Sequence, residues 1–213
     1  MPWVRENTRF FRKGAAVVDI AGTKADIVRE IGAIPKAGWT FVGGHPLAGR
    51  EVSGYANSTA DLFLGKSMVL TPEGGEWTDA NGDRDLLERF FKSLGFTRVV
   101  VTSPERHDEL IAFTSQLGHV IASAYVQDEL VAESIGFSAG SYANMSRIAT
   151  VDPDTWASLY LSDRAALLRV LDGFIGRLGE FRAALDRRDA EALKGFIAAG
   201  AAAKRAELAA RAS

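Results

Sequence analysis

The chain has 213 residues, 47% of them hydrophobic, and a formal net charge of -2 from 25 basic and 27 acidic side chains. That is enough apolar material for one large domain or two small ones, and the charges are too evenly spread for a nucleic-acid stripe or a polybasic membrane patch. The absence of cysteine excludes disulfides and thiolate metal sites, and no apolar run approaches the roughly 20 residues of a membrane span.

Residues 1–13 carry charges throughout and no signal-peptide core, so a cytoplasmic protein is expected, with neither nucleic acid nor membrane as partner. Gly14-Ala15-Ala16-Val17-Val18-Asp19-Ile20 then reads as a buried strand, and residues 24–31 as a helix. Trp39-Thr40-Phe41-Val42 is a second strand, ending in Gly43-Gly44-His45-Pro46. The stretch 47–65 is long for a connection, and its Gly49, Ser53, Gly54 and Asn57 mark it as a loop of the kind that is often functional. Ser67-Met68-Val69-Leu70 and residues 98–102 are further strands. Between them, residues 83–94 form a helix with Leu86, Leu87, Phe90, Phe91 and Leu94 on one stripe. Strand–helix alternation of this kind predicts an α/β layer with some parallel pairing.

From residue 103 the texture is helical. Ser103-Pro104-Glu105 is a good helix start, and Leu110, Phe113, Leu117, Ile121 and Ala124 follow at helical spacing. Residues 136–140 break the pattern, residues 142–150 form a short helix, and Asp152-Pro153-Asp154 opens the next. Leu167, Leu171, Phe174, Leu178, Phe181 and Leu185 make a heptad-like seam that suits a bundle or a partner subunit. Residues 189–211 are an alanine-rich, weakly amphipathic helix. The chain divides into residues 1–102 and 103–213.

All three histidines sit in short polar signatures. His45 stands at the carboxyl end of a strand, where open α/β sheets place ligands, and an aimed imidazole is suited to acid–base work near neutral pH. The glycine pair before it lets a ligand approach the backbone. His107, followed by Asp108 in the first turns of a helix, reads equally well as a cap or surface group. His119 shares a helix face with Ser115 and Gln116, either as a satisfied buried network or as the lining of a pocket. His107 and His119 are separated by about 18 Å of rise and roughly 120° of rotation, so they cannot share an ion on a straight helix, and no metal site is expected. Arg147 is either a buried structural ion-pair member or a planar fork for a substrate carboxylate.

Asp19-Ile20-Ala21-Gly22-Thr23-Lys24 and Gly43-Gly44-His45-Pro46-Leu47-Ala48-Gly49-Arg50-Glu51-Val52-Ser53-Gly54 resemble the prephenate dehydrogenases. So do Asp61-Leu62-Phe63, Leu70-Thr71-Pro72, His107-Asp108, the helix from Ser115 to His119, and Ser146-Arg147-Ile148-Ala149 followed by Asp152-Pro153. Their order and rough spacing match over nearly the whole chain. The resemblance implies a partial Rossmann-like α/β layer followed by an all-α helical dimerisation domain. It also implies oxidative decarboxylation of prephenate to 4-hydroxyphenylpyruvate in tyrosine biosynthesis, or the related reaction of arogenate, with NAD or NADP. His45 would be the catalytic base. Arg147, His119, Ser115 and Glu51 would bind substrate, and Gly22, Thr23, Gly43 and Gly44 would face the nicotinamide end of the cofactor. The helical part would make a homodimer.

The chain departs from that pattern in several places. Glycine stands at position 22, where the family usually has a serine that positions the histidine; Gln116 and Gly118 replace histidine and proline; and Arg50 replaces a small hydroxyl residue. No Gly-x-Gly-x-x-Gly follows a leading strand. On the family pattern, Met1 falls near the end of the first nucleotide-binding half. On the order of two βαβ units, at about 30 residues each, would then precede it. Weak cofactor binding and a poor or inactive dehydrogenase are therefore expected of this chain alone. Two further readings stay open: a non-catalytic, metabolite-binding or dimerising remnant, and a 3-hydroxyacid type of dehydrogenase that uses Lys24 rather than His45.

Overall fold

In the computed structural model, which describes residues 2–49, 54–78, 80, 82–137 and 139–212, the chain begins with α1 (Pro2–Asn7), β1 (Ala16–Val18), α2 (Ala25–Gly32) and β2 (Thr40–Pro46). β3 (Ser67–Pro72), α3 (Arg84–Ser93) and β4 (Arg98–Val101) follow. The four strands lie side by side in sequence order. β1 is parallel to β2, β2 antiparallel to β3, and β3 parallel to β4, which bears out the expected α/β layer with some parallel pairing. The second strand outlasts its apolar run because β3 continues to pair with it, Gly44 opposite Leu70 and His45 opposite Val69.

Alternation along β2 divides the core into two faces. Phe41 joins Val28, Ile31, Ile34 and Trp39 on the α2 side, while Val42 joins Met68, Leu70, Leu87, Phe91 and Phe96 on the α3 side. Each such fully buried side chain contributes about 1.5–3 kcal/mol. Asp83 caps α3 by accepting from the Leu86 amide. The five-residue stripe of α3 is wider than the sheet can cover. Leu87 and Phe91 are buried, whereas Leu86, Phe90 and Leu94 stay exposed and line an apolar groove of about 570 Å³ with Val18, Ile20 and Phe63.

The remainder is helical, as expected. α4 (Pro104–Ile111), a π-helical turn (Ala112–Gln116) and α5 (Leu117–Tyr125) run consecutively. α6 (Leu130–Glu133), α7 (Gly140–Ser146), a 3-10 turn (Arg147–Ala149), α8 (Pro153–Ser162), α9 (Arg164–Asp186) and α10 (Ala190–Ala212) follow. Ser103 and Asp152 cap α4 and α8 with their side chains, each with proline in the first turn.

Residues 1–167 form one compact unit and residues 168–213 another, so the change of texture near residue 102 falls inside the first. In the second unit, Phe181 of α9 meets Phe196 of α10 with ring centroids 5.2 Å apart, and Asp189 caps α10. Ala184 is buried there, but the seam residues Leu178 and Leu185 remain exposed. Among the described residues no helix is long and apolar enough to cross a membrane.

Candidate active site

The alternation that puts Phe41 on the α2 side puts Gly43 and His45 there as well, facing the helices α2 and α4, which pack together. His45 Nδ1 lies 2.8 Å from His107 Nε2, and His107 Nδ1 lies 2.7 Å from Asp108 Oδ1. His107 is 2% exposed, which removes the surface reading for it. The Asp108 carboxylate also accepts from the backbone amides of Lys24 and Ala25, both at 2.8 Å, so α4 supplies the cap for the first turn of α2.

A second set of bonds fixes the strand end. The Lys24 amino group, with no exposed surface, is ion-paired to Asp19 and donates to the Gly44 carbonyl at 2.7 Å. Asp19 in turn accepts from the Gly44 and Ala21 amides, each at 3.0 Å. Burial pushes the His45 imidazole down from 6.5 to about 4; His107 and Lys24 act in the same direction and the Asp108 carboxylate opposes them. Burial also lowers Lys24, against the pull of Asp19 and Asp108. The ring of His45 is therefore neutral at neutral pH. Lys24 is committed to Asp19 and Gly44, which weighs against the reading that uses it in place of His45.

The glycine pair is needed for close packing within the protein. A Cβ at Gly43 would run into Thr71 Oγ1 and come within 2.8 Å of Val28 Cγ2. One at Gly44 would run into the Asp19 carbonyl and come within 2.5 Å of Val18 Cγ1 and 2.7 Å of Met68 Cε. At Gly22 the neighbour is Leu159 Cδ1 of α8, at 3.2 Å. The Thr23 hydroxyl is 3.2 Å from Ser162 Oγ, turned towards α8. What stays open beside the histidine is the turn after β1, where Ile20 is 71% exposed and Ala21 is also exposed. An exposed turn at the carboxyl end of a parallel strand fits the nicotinamide end of a dinucleotide. No phosphate-cradling glycine turn accompanies it among the described residues.

On the helical side, His119 Nδ1 donates to the Ile148 carbonyl at 2.8 Å, and its ring lies against Trp156 with centroids 3.9 Å apart. That bond ties α5 to the turn that starts at Arg147. Arg147 is exposed, which rules out a buried ion pair for it. Ser115 is half-buried in the π-helical turn, a distortion common at functional positions. Gln116 is fully buried, donating to Asp163 Oδ2 at 2.8 Å, and its Oε1 has no hydrogen-bond partner among the described residues. Gln116 and His119 therefore pack towards α8 and the residue that ends it. Glu51 lies outside the described residues.

Two groups are not legible in the sequence. His107 and Asp108 stand out there as a dipeptide, but their link to His45 spans 62 residues and depends on how α4 docks. Trp156, Leu159 and Ser162 of α8, which meet His119, Gly22 and Thr23, carry no signal beyond helical spacing after a good N-cap.

Two family descriptions match consecutive stretches of the chain: the nucleotide-binding domain of prephenate dehydrogenase over residues 1–100, and its dimerization domain over residues 103–198. The chain belongs to the prephenate dehydrogenase family. Prephenate dehydrogenase of Bacillus subtilis is 29% identical over 182 residues, covering 83% of this chain and 48% of that one. Cyclohexadienyl dehydrogenase of Zymomonas mobilis is 29% identical over 189 residues, covering 85% and 62%. The crystal structure of the Aquifex aeolicus prephenate dehydrogenase in complex with hydroxyphenyl propionate and NAD+ superposes with a TM-score of 0.75 at 28% identity, over 96% of this chain and 71% of that one. The sheet and the helical part thus match the prephenate dehydrogenase fold. The chain spans about half of the first of these curated relatives and 62% of the second.

Proposed function

We propose that this chain acts in the oxidative decarboxylation of prephenate, or of the related arogenate, with NAD or NADP, and that His45 is its catalytic base. The observation that carries the reading is a neutral, half-buried imidazole held at the carboxyl end of β2, one hydrogen bond from a buried His–Asp pair. A base must be unprotonated to work, and a value lowered to about 4 keeps it so at neutral pH.

In this reading His45 takes the proton of the substrate's 4-hydroxyl as the hydrogen on that carbon leaves with its electron pair. The nicotinamide, when bound, supplies the acceptor for that hydride. The bond to the ring carboxylate then breaks, carbon dioxide leaves, and its electron pair completes the aromatic ring. The phenolic oxygen takes the proton back from His45, so no proton is gained or lost overall. Arg147 grips a substrate carboxylate with its planar fork. His119 and Ser115 line the pocket, and Glu51, which lies outside the described residues, is a further substrate contact by family resemblance. Gly22 and Thr23 belong to the turn that meets the nicotinamide, with Gly43 and Gly44 beside it, the Gly44 amide bonded to Asp19.

We assign residues 1–102 to the nucleotide-binding part and residues 103–213 to the substrate-binding and dimerising part. A homodimer through the helical part agrees with the family description of residues 103–198 and with the uncovered leucines of α9. The cytoplasm is the compartment we propose. A second reading is ligand binding without turnover, with the same residues in contact with the substrate.

The experiment is to titrate the full chain with hydroxyphenyl propionate while following the histidine NMR signals, and to assay prephenate oxidation with and without His45→Asn. We expect His45 and His119 to shift, and turnover to require His45. Unmoved His45 signals, or equal turnover by His45→Asn, would overturn the assignment. Binding without turnover in the wild type would select the second reading.

A further inference from the structure

With one proton on each imidazole ring, the hydrogen bonds around His45 admit a single placement of protons. The Asp108 carboxylate has no proton to give, and it already accepts from the Lys24 and Ala25 amides. A bare nitrogen on His107 at 2.7 Å would face its lone pairs, so His107 Nδ1 carries the proton. A neutral His107 then has a bare Nε2, and His45 Nδ1, 2.8 Å away, has to donate to it. That leaves the lone pair of His45 on Nε2.

We infer that His107 and Asp108 are positioning residues that hold His45 as the Nδ1-protonated tautomer, so that the Nε2 lone pair meets the substrate hydroxyl. The inference rests on the reading of His45 as the base and adds what makes it one. The turn after β1 offers no hydroxyl to compete for the role: position 22 is glycine, and the Thr23 hydroxyl is engaged with Ser162. The other charged groups that face the pair, Lys24 and Asp19, are bound to each other and to Gly44.

The same contact also stabilises the charge that forms. When His45 Nε2 takes the substrate's proton, the Nδ1 proton moves to His107 Nε2, and the positive charge then lies against Asp108. The shift reverses when the phenolic oxygen is reprotonated. This resembles the acid–histidine pairing of hydrolase triads, with a second imidazole between the acid and the working base.

With only three histidines, the tautomers are readable in the full chain by long-range 1H–15N NMR. All three are expected to be Nδ1-protonated at neutral pH, with His119, bonded to the Ile148 carbonyl, as an internal control. His107→Gln, which can still accept from His45 and donate to Asp108, keeps the His45 tautomer. His107→Leu releases it. Asp108→Asn, whose amide can donate to His107, turns both His107 and His45 into the Nε2-protonated form and leaves His119 unchanged. For Asp108→Asn we expect kcat to fall by about 10³- to 10⁴-fold with KM within about threefold, the scale of a catalytic histidine held in the wrong tautomer.

A wild-type His45 found protonated at Nε2 overturns the inference, and this spectrum decides even if no variant folds. An Nε2-protonated His45 in a chain that still oxidises prephenate leaves the function standing while this inference falls. The expected tautomers in a chain whose turnover ignores His45→Asn do the reverse.

Discussion

Two polar clusters lie in the first compact unit, and they are built differently. At the sheet end, Asp19, Lys24, His45, His107 and Asp108 share a network in which each of these side chains has a hydrogen-bond partner. On the helical side, Gln116 keeps a buried oxygen without a partner among the described residues, Ser115 sits in a π-helical turn, and Arg147 is exposed. A closed network fixes protons and rings before any ligand arrives, at the cost of little tolerance to change. A looser set can rearrange around an anion or a ring. The difference suits the proposed division, with proton handling at the sheet end and recognition on the helical side.

The largest expected effect separates the two clusters directly. His45→Asn should lower turnover by about 10²- to 10⁴-fold while hydroxyphenyl propionate still binds, read by steady-state assay and calorimetry. Arg147→Gln should instead weaken binding of that carboxylate far more than it changes the His45 signals.

Lys24→Met tests how closed the sheet end is. It strands Asp19 and the Gly44 carbonyl, and breaking a buried pair from one side costs about 3–5 kcal/mol, measurable by urea unfolding. Gly44→Ala should cost about 1–3 kcal/mol, because the new methyl meets backbone as well as side chains.

Acid should reveal the same cluster. The unfolded imidazole titrates near 6.5 and the folded one near 4, so between those values the unfolded chain binds the extra proton. The stability that depends on a neutral His45 is whole above about pH 6.5 and is lost as pH falls towards 4. The melting temperature of the wild type should therefore drop more steeply across that window than that of His45→Gln. Gly118→Ala gives the smallest effect. A Cβ there meets Ile148 Cδ1 at an ordinary 3.5 Å, so the helical side should gain about 0.5–1 kcal/mol from better helix propensity.

Much of the fold was legible because its signals are local. Strand runs, the caps Asp83, Ser103 and Asp152, and the 3.6-residue stripes all lie within a few neighbours of the elements they define. The place of His45 at the end of β2 was legible from the apolar run before it. The full extent of β2 was not, since Gly43 to Pro46 are strand only because β3 pairs beside them. Nor was the reason for the glycine pair, which depends on Val28, Thr71 and Met68 arriving from other elements. His107 is the clearest case. Its neighbours in sequence suit a cap, and only the docking of α4 turns it inward to His45 on β2.

The most direct test is to follow the imidazole carbon-bound protons of the full chain by NMR from about pH 8 to about pH 3, a range that brackets the ordinary imidazole midpoint. We expect His45 to stay neutral well below that midpoint and to titrate near 4, as a base kept free by burial and by its neighbours. A midpoint at the ordinary value of 6.5 or above would contradict the assignment of His45 as the poised base.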